Sequence, residues 1–304
     1  MRYPNPDMLV RIAQADAYAM ALEYVDPAVH PELLAAALRF EGYLAHPTHH
    51  KVTAGSYTDD TQMSVAVAEV LIACPEPTAS DFCDAFFRCF ARDPRYGYSR
   101  GFQALLQRAR SADELRASLG ARSDKNGAAM RSVPIGVLPD PERVVRVATV
   151  QAAVTHDTPG GIHSSIAVAL MSHFALHEAD GLDAMHRFCT RLLPAFAPFS
   201  TPWDGPVGAE DNDAMGVGMC TAWAVSTLLA EETSLFAMMR RLLRWGGDTD
   251  SVAAIAWGIA SARYPSEALP PFLERDLEVG RPFGVPFLRS LGDSLMETVS
   301  KIGR

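Results

Sequence analysis

An all-α fold is predicted for this chain by three observations. Apolar residues recur at helical spacing along most of its length. Pro- and Gly-rich stretches separate those segments, and no convincing series of alternating positions marks a sheet. The first helices are expected over 7–24 and 31–39. After Thr58, the positions Met63, Ala66, Val67, Val70 and Leu71 trace one buried helical face. Further helices are expected over 79–91, 101–118, 141–155, 162–178, 181–191, 215–230 and 233–244. Val252, Ile255, Ala256, Ile259 and Ala260 repeat the same spacing, and a helix over 286–302 closes the series. Breaks fall at PEPTAS (75–80), PIGVLPDPE (134–142) and APFSTPWDGPVG (197–208). Alanine is frequent at inward positions, which lets helix backbones approach closely and suits a compact many-helix arrangement.

The 304 residues are enough for a large core, and no linker, charge block, low-complexity segment or repeat divides them. A single domain over 1–304 is expected. The net charge of −9 is spread along the chain and argues against nucleic-acid binding, though not against an anionic small ligand. Cys74, Cys83, Cys89, Cys189 and Cys220 form no zinc spacing and read as reduced core thiols. The amino terminus, MRYPNPDMLVRIAQ, lacks a signal-peptide apolar block, and no apolar run reaches the roughly 18 residues of a membrane span. A cytoplasmic protein without membrane partners is expected.

Two helix starts carry the chemistry. YTDDTQMS (57–64) places Asp59 and Asp60 side by side before a run built for burial. Asp59 with Gln62 fits a capping box, and acids in a first turn suit the helix dipole. A second stretch, GGDTDS (246–251), opens another Ala-rich helix with Asp248, Asp250 and Ser251. If those two ends meet, four acids and two hydroxyls converge and require countercharge. All-oxygen ligands suit hard divalent cations, and two ions balance that charge more readily than one. If they do not meet, each is an ordinary helix cap. Asn126-Gly127 in NGAAMR (126–131) permits a tight loop whose amides face an anion, or is a simple turn. His156, before Asp157, is either a structural histidine or a ligand contact. An HD-type phosphohydrolase reading would recruit His49, His50 and Asp248 but leaves both acidic motifs unexplained.

The combination of GSYTDDTQM (55–63), NGAAMR, the TH pair at 155–156 and RWGGDTDSVAAIAWGIASA (244–262) resembles the ADP-ribosylglycohydrolase family. That family includes the dinitrogenase reductase-activating glycohydrolases and the ADP-ribosyl-acceptor hydrolases. The resemblance implies a compact orthogonal multi-helix bundle holding two Mg²⁺ or Mn²⁺ ions. Thr58, Asp59 and Asp60 would be ligands from one side, with Asp248, Asp250 and Ser251 completing the site. The bond between ADP-ribose and a modified acceptor, foremost protein arginine, would be broken by water through an oxocarbenium-like transition state. Asp59 or Asp60 would be the general base. Asn126 and Gly127 would cradle the diphosphate, and His156 would lie near the ligand. The implied partner is an ADP-ribosylated protein or other ADP-ribosylated acceptor. Alternatives are a hydrolase of O-linked or polymeric ADP-ribose, one of another N-glycoside, or a noncatalytic ADP-ribose-binding relative.

The chain departs from the family at ADAYAMALE (15–23), where Ala15 and Ala19 replace the usual glycines of the GDALG motif. Added methyls there would displace a nearby backbone or narrow the pocket. Glu23 keeps its acidic place as a catalytic or substrate-facing group, and Asp16 reads either as a partner behind the ligand residues or as a buried hydrogen-bond acceptor. ARDPRYGYSRGFQALL (91–106) is either an exposed helix-connecting loop or a specificity loop in which Asp93 would pair a guanidinium and Tyr96 or Tyr98 would stack on a base or substrate side chain. HPTHH (46–50) reads as a loop. Trp203 and Asp204 in STPWDGPVGAEDND would border a lid.

Overall fold

The computed structural model describes residues 1–120, 122–208 and 215–302. Among these the chain is all α, with no strand and one isolated parallel bridge between Val207 and Gly247. The helices in order are α1 (Met8–Ala19), α2 (Pro31–Ala37), α3 (Asp59–Ala73), α4 (Ala79–Arg92), α5 (Arg100–Arg108), α6 (Ala112–Ser118) and α7 (Pro141–Ala153). They continue with α8 (Pro159–His177), α9 (Met185–Leu192), α10 (Val217–Glu231), α11 (Leu235–Trp245), α12 (Thr249–Ala260), α13 (Phe272–Arg275) and α14 (Val285–Ile302).

Burial sorts these helices into two kinds. Ser164 to Leu176 of α8 and every residue of α12 are buried, so these helices are apolar all round and run through the interior. The most extensive helix pairing is α1 on α12, and α3 and α10 also pack against α12. The outer helices α4, α9 and α11 bury only one face. The alanines expected at inward positions, among them Ala13, Ala66, Ala253 and Ala256, are wholly buried. Close helix approach is what lets α1, α3 and α12 bring their ends to one place.

Expected helix 101–118 is divided into α5 and α6. Ser111 adopts an extended backbone and its hydroxyl accepts from Glu114 N at 3.2 Å, while the Glu114 carboxylate accepts from Arg110 N at 2.8 Å. That reciprocal cap starts a new helix where periodicity alone continues the old one. The 181–191 segment opens as a 3₁₀ turn, Leu182–Ala184, before α9. The 3₁₀ turns Val133–Val137 and Pro194–Ser200 and the short α13 occupy stretches with no expected helix, being too short to show a period.

Candidate active site

The start of α3 is built from α1. Asp16 is wholly buried and accepts from the backbone N–H groups of Thr58 and Thr61 and from both their hydroxyls, Thr61 Oγ1 at 2.5 Å. Burial lifts the Asp16 pKa to about 6 against the pull of these hydrogen bonds. A carboxylate from another helix therefore does the capping expected of Asp59. Gln62 is not a capping partner either. Its amide donates to Asp93 O at 2.7 Å and Cys89 O at 3.2 Å, and it accepts from Tyr98 Oη at 2.7 Å. Asp59 and Asp60 are left with their carboxylates turned to the cleft they line.

The start of α12 depends on Gly246 and Gly247, with φ of +74° and +76°. A Cβ on Gly247 would lie 2.0 Å from Val207 O, so backbone passes there without room for a side chain. The turn is fastened by Asp248 N to Val207 O at 2.9 Å, Tyr24 N to Gly247 O at 2.8 Å and Thr249 Oγ1 to Ala19 O at 2.9 Å. Its effect is to bring α12's acids to the end of α1. Carboxylate oxygens of Glu23, Asp248 and Asp250 lie within 4.8 Å of one another. Asp59 and Asp60 of α3 line the same cleft as Asp248, Asp250 and Ser251 of α12. The two acidic helix starts open on one cleft, although Asp59 and Asp60 lie outside the three-carboxylate group.

The electrostatics are those of uncompensated like charge. Burial pushes Asp59, Asp60 and Asp250 well above the usual carboxylate range. Neighbouring acids add to it: Asp16 for Asp59, Asp59 for Asp60, and Glu23 for Asp250. Glu23 is pushed to about 9 by burial and then by Asp248 and Asp59. Asp60 Oδ1 is buried without a hydrogen-bond partner. A buried carboxylate oxygen in that position, among oxygen donors only, fits a hard divalent cation.

The remaining expected residues divide. Asn126 is buried, and its amide donates to Asp248 Oδ2 at 3.0 Å, which also accepts from Tyr24 Oη at 3.1 Å. Gly127 and His156 line the cleft together, and burial drives the His156 pKa down to about 3, helped by Arg131. Glu23 sits 3.4 Å from His49 Nδ1, and its backbone carbonyl is 2.8 Å from His46 Nε2, so HPTHH is a wall of the site. Asp93 is not among the lining residues, and its carboxylate is engaged by Arg95 at 2.7 Å. Tyr96 and Tyr98 both line the cleft, Tyr96 with Lys51 Nζ 4.9 Å from its ring centroid and Tyr98 largely buried with its hydroxyl on Gln62. Ala15 and Ala19 are wholly buried and do not line the cleft. Trp203 is buried, and Asp204 accepts from Trp245 Nε1 at 3.1 Å. Residues 209–213 of the expected lid lie outside the described residues.

Three contributors escape sequence reasoning. Tyr24 follows Glu23 directly but signals nothing by its type. Gly97 packs so closely that a Cβ would meet Asp59 Oδ1 at 2.2 Å. Arg131 ends the NGAAMR motif but is masked by its Asn-Gly turn. Together these residues enclose a cleft of about 1640 Å³, with the acids deep and Lys51, Arg100 and Lys125 among its walls.

The family model for ADP-ribosylglycohydrolase matches residues 8–301. The chain belongs to the ADP-ribosylglycohydrolase family. Among curated relatives, ADP-ribosylhydrolase ARH3 of Mus musculus is 27% identical over 273 residues, covering 73% of each chain. ARH3 of Homo sapiens is 26% identical over 283 residues, covering 76% of this chain and 77% of that one. ADP-ribosyl-[dinitrogen reductase] glycohydrolase of Rhodospirillum rubrum is 24% identical over 236 residues, covering 73% and 76%. A solved structure, an ADP-ribosylglycohydrolase-related protein complex, superposes with TM-score 0.73 at 21% identity over 97% of this chain and 98% of that one. The all-α bundle is thus the ADP-ribosylglycohydrolase fold. Enzymes of this family are hydrolases acting on ADP-ribosyl linkages.

Proposed function

We propose that this protein is a divalent-cation-dependent hydrolase that releases ADP-ribose from a modified acceptor, with protein arginine as the leading acceptor. The observation that carries this reading is the convergence of two acidic helix starts on one cleft in which Asp60 Oδ1 is orphaned. Thr58, Asp59 and Asp60 would hold Mg²⁺ or Mn²⁺ from α3, and Asp248, Asp250 and Ser251 from α12. Two such ions would supply Lewis-acid charge at the ribose hydroxyls and the attacking water.

The chain's own residues do the rest. Asn126 and Tyr24 hold Asp248 Oδ2, fixing that carboxylate's orientation. Gly97 closes over Asp59 and limits its rotamers. The acids stabilise positive charge developing at the anomeric carbon, and Asp59 or Asp60 takes the proton of the attacking water. Glu23 holds the acceptor side of the ribose. The family match over 8–301 supports one domain for the whole chain. No described helix is long and apolar enough to cross a membrane, and thiols joined in no disulfide favour a cytoplasmic setting.

A second reading, an O-linked acceptor, is favoured by one observation. Asp93 is committed to Arg95, and His49, His50 and Lys51 line the cleft near Glu23, a poor surround for a guanidinium. The deciding experiment measures free ADP-ribose from arginine-, serine- and nucleic-acid-linked substrates, with Mg²⁺, with Mn²⁺ and with chelator. Release from the arginine substrate in metal alone supports the first reading, and release only from the serine substrate selects the second. Activity unchanged in Asp59→Asn and Asp250→Asn would sink both.

A further inference from the structure

Arg131 is wholly buried, and no described carboxylate lies within ion-pair distance of it. A guanidinium is not placed so without purpose, because desolvating it is costly. Its Nε donates to Gln151 Oε1 at 2.6 Å, and Nη2 to Gln151 O at 3.1 Å and Thr155 Oγ1 at 2.8 Å. The guanidinium carbon sits 4.4 Å from the Phe86 ring centroid. Gln151 is itself locked, donating to Ala128 O, Ser132 Oγ and Ser165 Oγ at 3.0, 2.8 and 2.7 Å. Arg131 therefore has little freedom, and it ends on a hydroxyl.

That hydroxyl transmits a constraint. Arginine has no acceptor, so Thr155 Oγ1 accepts from Nη2 and keeps one proton to give. The ring atom His156 Nδ1 lies 2.7 Å away, an acceptor for that proton when the ring carries its own on Nε2. An Nδ1 that accepts leaves the imidazole's proton on Nε2. Nε2 has no hydrogen-bond partner among the described residues, and His156 lines the cleft beside Gly127, whose Cβ, if present, would lie 3.2 Å from it. We propose that Arg131 and Thr155 are positioning residues that set His156 as an Nε2–H donor to an anionic oxygen of the bound ligand. The ligand named here, a diphosphate oxygen of ADP-ribose, rests on the function proposed above. The tautomer does not. The opposite tautomer would turn a lone pair toward that oxygen and repel it. Burial and Arg131 hold the ring neutral, with a pKa near 3, so the relay acts through tautomer rather than charge.

Long-range ¹H–¹⁵N NMR on the full-length protein reads the tautomer directly. Wild type is expected to show His156 neutral and protonated at Nε2. Thr155→Val should lose the single-tautomer signature and weaken ADP-ribose, measured by calorimetry with Mg²⁺, by about tenfold. Thr155→Ser should restore both, which separates a positioning role from a packing one. Arg131→Lys, a point donor in place of a fork, should give a mixed tautomer. A wild-type ring protonated at Nδ1, or an unchanged spectrum in Thr155→Val, overturns the relay. If wild type binds no ADP-ribose, the proposed function falls while the spectra still decide the relay.

Discussion

Two groups of buried carboxylates stand on either side of the loop that follows α4, and they are treated in opposite ways. Glu278 is buried and held bidentately by Arg95, Nη1 to Oε1 at 2.7 Å and Nη2 to Oε2 at 2.8 Å. Tyr57 N donates to the same carboxylate at 2.9 Å, and Arg95 lies over the Tyr57 ring, 3.5 Å from its centroid. Asp93 completes the guanidinium's shell. Every charge in that clamp has its partner within the chain. Across the loop, Asp59, Asp60, Asp248, Asp250 and Glu23 line one cleft, and the buried Arg131 is spent on Gln151 and Thr155. A paired buried carboxylate is structure. An unpaired set, raised by burial and by one another, is a site whose countercharge comes from outside.

That contrast breaks most sharply on substitution. Asp250→Asn should reduce ADP-ribose release at least about a hundredfold, since charge aimed at the reacting centre is lost. The same change should raise the melting temperature of chelator-treated protein, because it removes one of several repelling acids. Glu278→Gln should behave in the opposite sense. It leaves Arg95 short of a partner and should destabilise the fold by roughly 3–5 kcal/mol, at the lower end because Asp93 remains. Paired denaturant melts and activity assays of the two variants test the assignment. A stabilised Glu278→Gln, or a destabilised Asp250→Asn, would reverse it.

The next effect is one of conditions. Mn²⁺ at about a hundred times its Kd should stabilise wild type by about 2.7 kcal/mol through linkage and leave Asp250→Asn unmoved. In chelator, stability should depend on pH with a definite sign. Glu23 rises from an ordinary 4.5 to about 9 in the fold, so the folded state binds its proton more tightly than the unfolded chain. That stability is present in full below about pH 4.5 and is lost as pH rises toward 9. Asp59, Asp60 and Asp250 shift in the same direction and deepen the loss. Saturating Mn²⁺ should flatten the curve. A thermal-melt series across pH 5–9, with and without the ion, reads both.

How far the sequence carried these conclusions follows from what repeats and what does not. Helical periodicity placed α3 and α12, and the two acidic starts were legible because each couples carboxylates to a buried run. The capping of α3 was not, since Asp16 reaches it from forty-odd residues away, and local spacing offered Asp59 and Gln62 instead. Ala15 and Ala19 drew notice as departures from a motif, yet both vanish into the core without touching the cleft. The Arg95–Glu278 clamp spans 183 positions, a separation at which residue type alone suggests no pairing. Asp93 shows the cost of that blindness: an acid in a promising loop had its guanidinium beside it, at Arg95.

Tyr24 tests the boundary between the two treatments. It has a positive φ of 49°, unusual outside glycine, and it is held at both ends, by Gly247 O at its N–H and Asp248 Oδ2 at its hydroxyl. More than half its surface is exposed, so packing does not explain the conformation. Its hydroxyl is one of two donors on Asp248 Oδ2, with Asn126 the other, and together they orient a carboxylate that has no cation partner among the described residues. Tyr24→Phe removes one donor and keeps the ring. Mn²⁺ affinity by calorimetry should fall about tenfold, the lower end for partners that orient a metal-holding group. Melting of the chelator-treated protein should change little, because Asn126 still satisfies the oxygen. An unchanged affinity would make Tyr24 part of the paired, structural class, with its hydroxyl merely resting on an acid held by Asn126.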